Sequence, residues 1–120
     1  MVTKPKIVCL CGSTRFSEAF QKAQFEETLA GKIVLTIGNI MKPDTELFNG
    51  YSENELKEIK IRLDELHCRK IDLADEGLIL NVGGYIGEST GGELAYARKH
   101  GKIIRFLEPA DLTSDSRKSI

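Results

Sequence analysis

Tryptophan is absent from this chain, and proline and cysteine occur only three times each. Few prolines leave room for long regular elements, and the odd cysteine count argues against a fully paired disulfide framework. Cys9 and Cys11 lie two positions apart, without the spacing of a zinc or redox pair. On a strand that spacing puts both on one face, where small reduced thiols pack well. Long apolar runs are also missing. Nothing approaches the ~20 residues that cross a bilayer, and the N-terminus lacks a signal peptide's apolar region. The expectation is a cytoplasmic protein with no membrane partner. No block of like charge stands out, and the formal net charge is −1. A binder of polymeric nucleic acid usually carries a basic stripe, so the partner read here is a small molecule, which needs only a few donors. A Walker loop and the G-x-G-x-x-G fingerprint are both lacking, which counts against ATP hydrolysis and NAD chemistry. No cofactor and no metal site are expected.

What remains is an ordinary globular composition, 41% hydrophobic and 29% charged, in 120 residues, enough for one packed core and not two. Lys6-Ile7-Val8-Cys9-Leu10-Cys11 is apolar without polar alternation, as in a strand covered on both faces. Gly12 breaks it. Phe16, Phe20, Ala23 and Leu29 then recur at helical spacing to about Ala30, and Gly31 ends the helix. Lys32-Ile33-Val34-Leu35-Thr36-Ile37 reads as a second strand. From Gly38 to Tyr51 runs an irregular but apolar stretch, read as a pocket wall or subunit contact. Ser52-Glu53-Asn54-Glu55 is a capping box that opens a long helix, Glu53 to about Ala74. Its Leu56, Ile59, Leu63, Leu66 and Leu73 form a seam facing the sheet or another subunit. Gly77 to Val82 is a third strand, Glu93 to His100 a short helix, and Lys102 to Leu107 a fourth strand. A polar tail follows from 109. This alternation implies one α/β domain over 1–108, a parallel sheet of four to five strands flanked by helices. Ligands of such sheets bind at the C-terminal ends of the strands. Residues 12–15, the loop after Gly38 and residues 83–93 should therefore converge.

Two of these segments carry chemistry. Gly12-Ser13-Thr14-Arg15 offers a permissive glycine, two hydroxyls, helix-start amides and a guanidinium, all suited to phosphate; a plain helix cap with a surface arginine is the equal alternative. Gly83 to Glu93 includes Gly87, Glu88, Ser89 and Thr90. Thr90-Gly91-Gly92-Glu93 fits a capping box, in which Glu93 bonds back to the N-cap amide. Alternatively, the glycines let a ligand approach, and Glu93 is a carboxylate placed for chemistry. Tyr96 lies three residues on, placed either to bond Glu93 or to pack in the core. Asp75 reads as a structural cap at the entry to the third strand. Arg69, Lys70, Arg98, Lys99 and His100 read as solvated helix faces.

The segments Cys11-Gly12-Ser13-Thr14-Arg15, Ala74-Asp75 and Glu88-Ser89-Thr90-Gly91-Gly92-Glu93-Leu94-Ala95-Tyr96-Ala97 together resemble the nucleoside 2-deoxyribosyltransferase family. The N-terminal loop is similar to that of relatives that hydrolyse 2'-deoxynucleoside 5'-phosphates. The resemblance runs from Lys6 to about Leu107. It implies a flavodoxin-like, Rossmann-like fold, a glutamate at Glu93 that attacks the anomeric carbon, and serines at Ser13 and Ser89 that hold a 5'-oxygen or phosphate. It also implies a homodimer or higher homo-oligomer, because family members complete their sites across subunits. The chain departs from the family on the long helix, where an aspartate assisting at base or sugar is usual. His67 stands there, with Asp64 nearly one turn earlier, so either becomes the candidate partner of Glu93. The family's aromatic residue near the end of the first strand is replaced by Leu10 and Cys11. The expected function is cleavage or transfer at an N-glycosidic bond of a nucleoside or nucleoside 5'-monophosphate; the alternative is a non-catalytic nucleotide-binding or sensing module on the same fold.

Overall fold

The structure is a computed structural model that describes residues 3–37 and 49–109. Strand β1 (Ile7–Cys11) is buried along all but its first residue, as its unbroken apolar sequence requires. Strands β2 (Ile33–Leu35) and β3 (Glu76–Ile79) flank it, and β4 (Ile103–Phe106) completes a sheet in the order β2-β1-β3-β4. Every pairing is parallel, with Val8 opposite Val34 and Glu76, and Cys11 opposite Ile79. Helices α1 (Ser17–Leu29), α2 (Glu53–Leu73) and α3 (Glu88–Lys99) alternate with the strands. The fold is the α/β, flavodoxin- or Rossmann-like class expected from the alternation.

Period-two alternation splits the core in two. Val8, Leu10, Leu78 and Leu80 pack on Phe20 and Ala23 of α1. Cys9, Cys11 and Ile79 point the other way, onto Ile71 of α2 and Leu94 and Ala97 of α3. Each fully buried aliphatic or aromatic side chain contributes roughly 1.5–3 kcal/mol, so β1, filling both layers, anchors the domain. At the end of β1 the chain passes close to β3. A Cβ on Gly12 would lie 3.1 Å from Leu80 Cβ and 3.4 Å from Leu80 O, so glycine is required there by close approach.

Several boundaries differ from the sequence reading. β2 is three residues long, an edge strand with Ile33 exposed. β3 starts at Glu76, one residue early, and ends at Ile79. The capping box of α2 forms as read: Ser52 Oγ accepts from Glu55 N at 3.1 Å, and Ser52 N donates to Glu55 Oε1 at 2.8 Å. The seam of α2 does not face the sheet. Leu63, Leu66 and Leu73 are exposed, and the buried residues of the helix are His67 and Ile71. Helix α3 begins at Glu88, five residues before Glu93. Most of the apolar loop after Gly38, and the tail beyond Pro109, lie outside the described residues. Among the described residues, no helix is long and apolar enough to cross a membrane.

Candidate functional site

The strand order reverses direction between β1 and β3, and the crevice above their C-terminal ends is where such sheets hold ligands. A cavity of about 820 Å³ lies there. Gly12, Ser13 and Thr14 follow β1 into it, Gly87 to Thr90 enter from the start of α3, and α2 supplies the third wall. The two glycine-bearing segments thus converge as their topology demands.

Glu93 lies on one wall. The early start of α3 decides between its two readings. Gly87 is the N-cap, with no side-chain cap bond, so Thr90 to Glu93 is helix interior and not a capping box. Gly91 and Gly92 suggest a boundary because glycine disfavours helix, but burial of Thr90, Leu94 and Ala97 holds the turn. Glu93 therefore projects from the second turn, towards α2. Its Oε1 is buried and accepts no hydrogen bond among the described residues. His67 Nε2 stands 3.7 Å away, itself nearly fully buried. Burial pushes the Glu93 carboxyl up to about 7, against the opposing pull of His67 and with the nearby negative charges of Cys9 and Asp64 raising it further.

Beneath this pair lie two residues that the sequence reading treated as core. Cys9 Sγ and Cys11 Sγ are each 3.5 Å from His67 Nε2. The Cys11 hydrogen bond, and then His67, draw the Cys9 thiol below its usual range, overcoming burial, while Cys9 and burial push Cys11 up. Burial depresses the His67 imidazolium, but Cys9 and Glu93 outweigh it and leave the ring more basic than usual.

Of the residues singled out from sequence, Gly12, Ser13, Thr14, Asp64, His67, Gly87, Ser89, Thr90 and Glu93 line the cavity. Three do not. Arg15 turns outward, its guanidinium over the Tyr85 ring at 4.7 Å. Gly83 has φ +64° and its amide donates to Glu108 Oε2 at 2.8 Å, locking the turn after β3 to the chain leaving β4. Tyr96 Oη donates to Asp72 Oδ1 at 2.6 Å and accepts from Arg69 at 2.8 Å, so it does not bond Glu93. Asp75 is structural, accepting from Ile7 N at 2.8 Å. Lys70 is not a solvated face: it lines the cavity and donates to Thr36 O at 2.6 Å. Lys60, missed from sequence, donates to Ser89 Oγ at 2.6 Å and pairs with Asp64 at 3.4 Å. Its signal was available, because 60, 64 and 67 fall on one helical face. No protein-family model matches the chain, and no curated protein matches its sequence.

Proposed function

We infer that the chain cleaves, or transfers across, the N-glycosidic bond of a nucleoside or nucleoside 5'-monophosphate, with Glu93 as nucleophile. The observation that carries this reading is the Glu93 carboxylate itself: a buried oxygen without a hydrogen bond among the described residues, on the wall of a cavity of ligand size that the hydroxyls of Ser13 and Ser89 also line. A buried polar atom left unpaired costs about 1–3 kcal/mol, and a function explains its retention. The resemblance of residues 11–15 and 88–97 to deoxyribosyltransferases supports the same role.

The chemistry follows from the charge that develops. As the C1'–N bond breaks, its electron pair leaves with the base and the sugar becomes oxocarbenium-like, which a carboxylate stabilises and then captures. The departing base takes a proton from cavity water, leaving hydroxide that solvent neutralises. Asp64 lines the cavity as a half-exposed carboxylate paired with Lys60, whereas His67 lies buried under Glu93 and positions it. Water, or a second base, then attacks C1', gives its proton to the Asp64 carboxylate, which returns it to solvent, and frees the Glu93 carboxylate. At the other end, Ser13, Ser89 and Lys60 supply donors, and the free amides at the start of α3 favour an anion such as a 5'-phosphate. The reading includes self-association through α2, where Leu63 and Leu66 at the cavity mouth and Leu73 beyond are exposed. Sedimentation at micromolar concentration should give a dimer or larger species.

The test is a panel of deoxynucleosides, ribonucleosides and their 5'-monophosphates, assayed for free base. Wild type should release base from at least one, and Glu93→Gln should slow release by about three orders of magnitude. Release that persists in Glu93→Gln would sink the role. Thermal stabilisation by a nucleotide without turnover, equal in both proteins, would establish the binding module instead.

A further inference from the structure

Below the cavity, three groups converge on one nitrogen. Cys9 and Cys11 alternate along β1 and so present both sulfurs to the face covered by α2 and α3. His67, from α2, places Nε2 3.5 Å from each of them. Glu93, from α3, brings Oε1 to 3.7 Å from the same Nε2. The two sulfurs and the imidazole nitrogen all lie within 4.8 Å of one another. A ring nitrogen carries either one proton or one lone pair, so Nε2 cannot bond both sulfurs at once, and the thiols' backbone contacts, Cys9 Sγ to Leu10 O and Cys11 Sγ to Cys9 O, are long at 3.9 Å. A cation between the two sulfurs and the ring nitrogen would satisfy all three.

We propose that Cys9, Cys11 and His67 form a three-ligand binding site for zinc, with Glu93 beside its fourth position. The distances fit the ion. With Zn–S ~2.3 Å and Zn–N ~2.0–2.1 Å, a tetrahedron has S···N edges of ~3.5 Å. The two observed S···N separations equal that edge, whereas Glu93 Oε1, 3.7 Å from Nε2, stands outside the group of mutually close ligand atoms. Two thiolates and an imidazole select a borderline ion over magnesium or calcium, which take oxygen ligands. The spacing Cys-x-Cys gives no zinc signature in sequence because the remaining ligand comes from a separate helix. Entry is from the cavity, whose lining includes His67 and Glu93.

The site has a consequence that rests on the nucleophile reading. A bound ion lies beside Glu93 and holds its carboxylate by charge, so zinc binding and attack on a sugar oppose one another, and zinc is an inhibitor that a chelator reverses. Metal binding itself is independent of that reading and is tested without it.

The experiment adds cobalt(II), then zinc(II), to the reduced, EDTA-stripped full chain. One equivalent of cobalt should produce intense thiolate-to-metal absorption in the near ultraviolet with visible bands of four-coordinate strength, and zinc should bleach both. Cys68→Ser should leave the spectrum unchanged. Cys11→Ala should weaken binding by more than the ~10–100-fold that loss of an outer-shell partner brings. X-ray absorption of the zinc-loaded wild type, which needs no variant to fold, should show two sulfurs at ~2.3 Å and two nitrogen or oxygen atoms at ~2.0 Å. Absence of the charge-transfer absorption, a spectrum lost in Cys68→Ser but kept in Cys11→Ala, or a zinc shell without sulfur would each overturn the site. In an active preparation, one equivalent of zinc should abolish base release and EDTA should restore it. Undiminished release with the metal bound through sulfur would place the ion clear of Glu93, contradicting the inhibition while leaving the nucleophile assignment standing.

Discussion

At the scale of single residues, Glu93 is held at a cost to stability. Its buried Oε1 accepts no hydrogen bond among the described residues, and the carboxyl sits among Cys9, Cys11 and His67. Glu93→Met removes the unpaired polar atom and keeps an unbranched side chain of similar length. In EDTA-treated protein this variant should be more stable by about 1 kcal/mol while losing all base release. Denaturant unfolding checks it, and a loss of stability would mean that the contact with His67 at 3.7 Å outweighs the unpaired atom. The two neighbours of Glu93 have different standing. Asp64→Asn should lower turnover at least 100-fold and let the glycosyl-enzyme accumulate, with little change in melting temperature, because its exposed pair with Lys60 is worth little. Turnover unchanged in Asp64→Asn would remove Asp64 as the base. Of this site, Glu93 and the serines were legible in the sequence as residue types at strand ends, and His67 and Asp64 only through the family resemblance, counted back along the long helix from Asp75. Cys9 and Cys11 were not, because what makes them part of the site is the approach of α2, a contact fifty-eight and fifty-six residues away in sequence.

At the scale of elements, α3 shows where local signals fail. Its glycines read as a loop, and the helix was expected to begin at Glu93, yet it begins at Glu88. The loss from two helical glycines, about 1 kcal/mol each, is smaller than the gain from packing Thr90, Leu94 and Ala97. That one-and-a-half-turn difference turns Glu93 from a cap into a residue aimed at α2. It also makes a prediction, since Gly92 is exposed, with open space where a Cβ would stand. Gly92→Ala should stabilise the protein by about 0.5–1 kcal/mol, read as a rise of a few degrees in melting temperature. A fall would place residue 92 outside the helix. By contrast, the start of α2 was fully legible, because a capping box is local chemistry: Ser52 and Glu55 bond only to each other's backbone and side chain. The faces of α2 were less so. Leu63, Leu66 and Leu73 outnumber His67 and Ile71, but the helix buries the latter pair because that face meets β1 and α3.

At the scale of the whole molecule, the parallel sheet and its alternating helices follow from unbroken apolar strands separated by helical periodicities, and they appear in the order expected. A polar network that the sequence does not announce ties the opposite ends of the chain together. Glu76 in β3 accepts from Arg105 Nε of β4 at 2.6 Å and from Lys32 at 3.2 Å, and Arg105 also binds Glu27 of α1. Burial raises the Glu27 carboxyl, but its bonds and proximity to Arg105 and Lys32 prevail and hold it below the usual range. A carboxyl whose folded value is depressed stabilises the fold above its unfolded value, and that contribution fades as pH falls through the folded one. Melting temperature should therefore drop as pH is lowered below about 4.3, and less steeply in Glu27→Gln. Identical profiles for the two proteins would show the network to be silent.

The central claim is that Glu93 attacks the sugar, and its most direct measurement is a quenched reaction examined by mass spectrometry. Protein mixed with an accepted nucleoside or nucleotide and stopped in acid within one turnover should carry one added glycosyl group. Peptide mapping should place it on Glu93, with no adduct in Glu93→Gln. A glycosyl group on another residue, or turnover at full rate with no covalent adduct in wild type, would contradict the account.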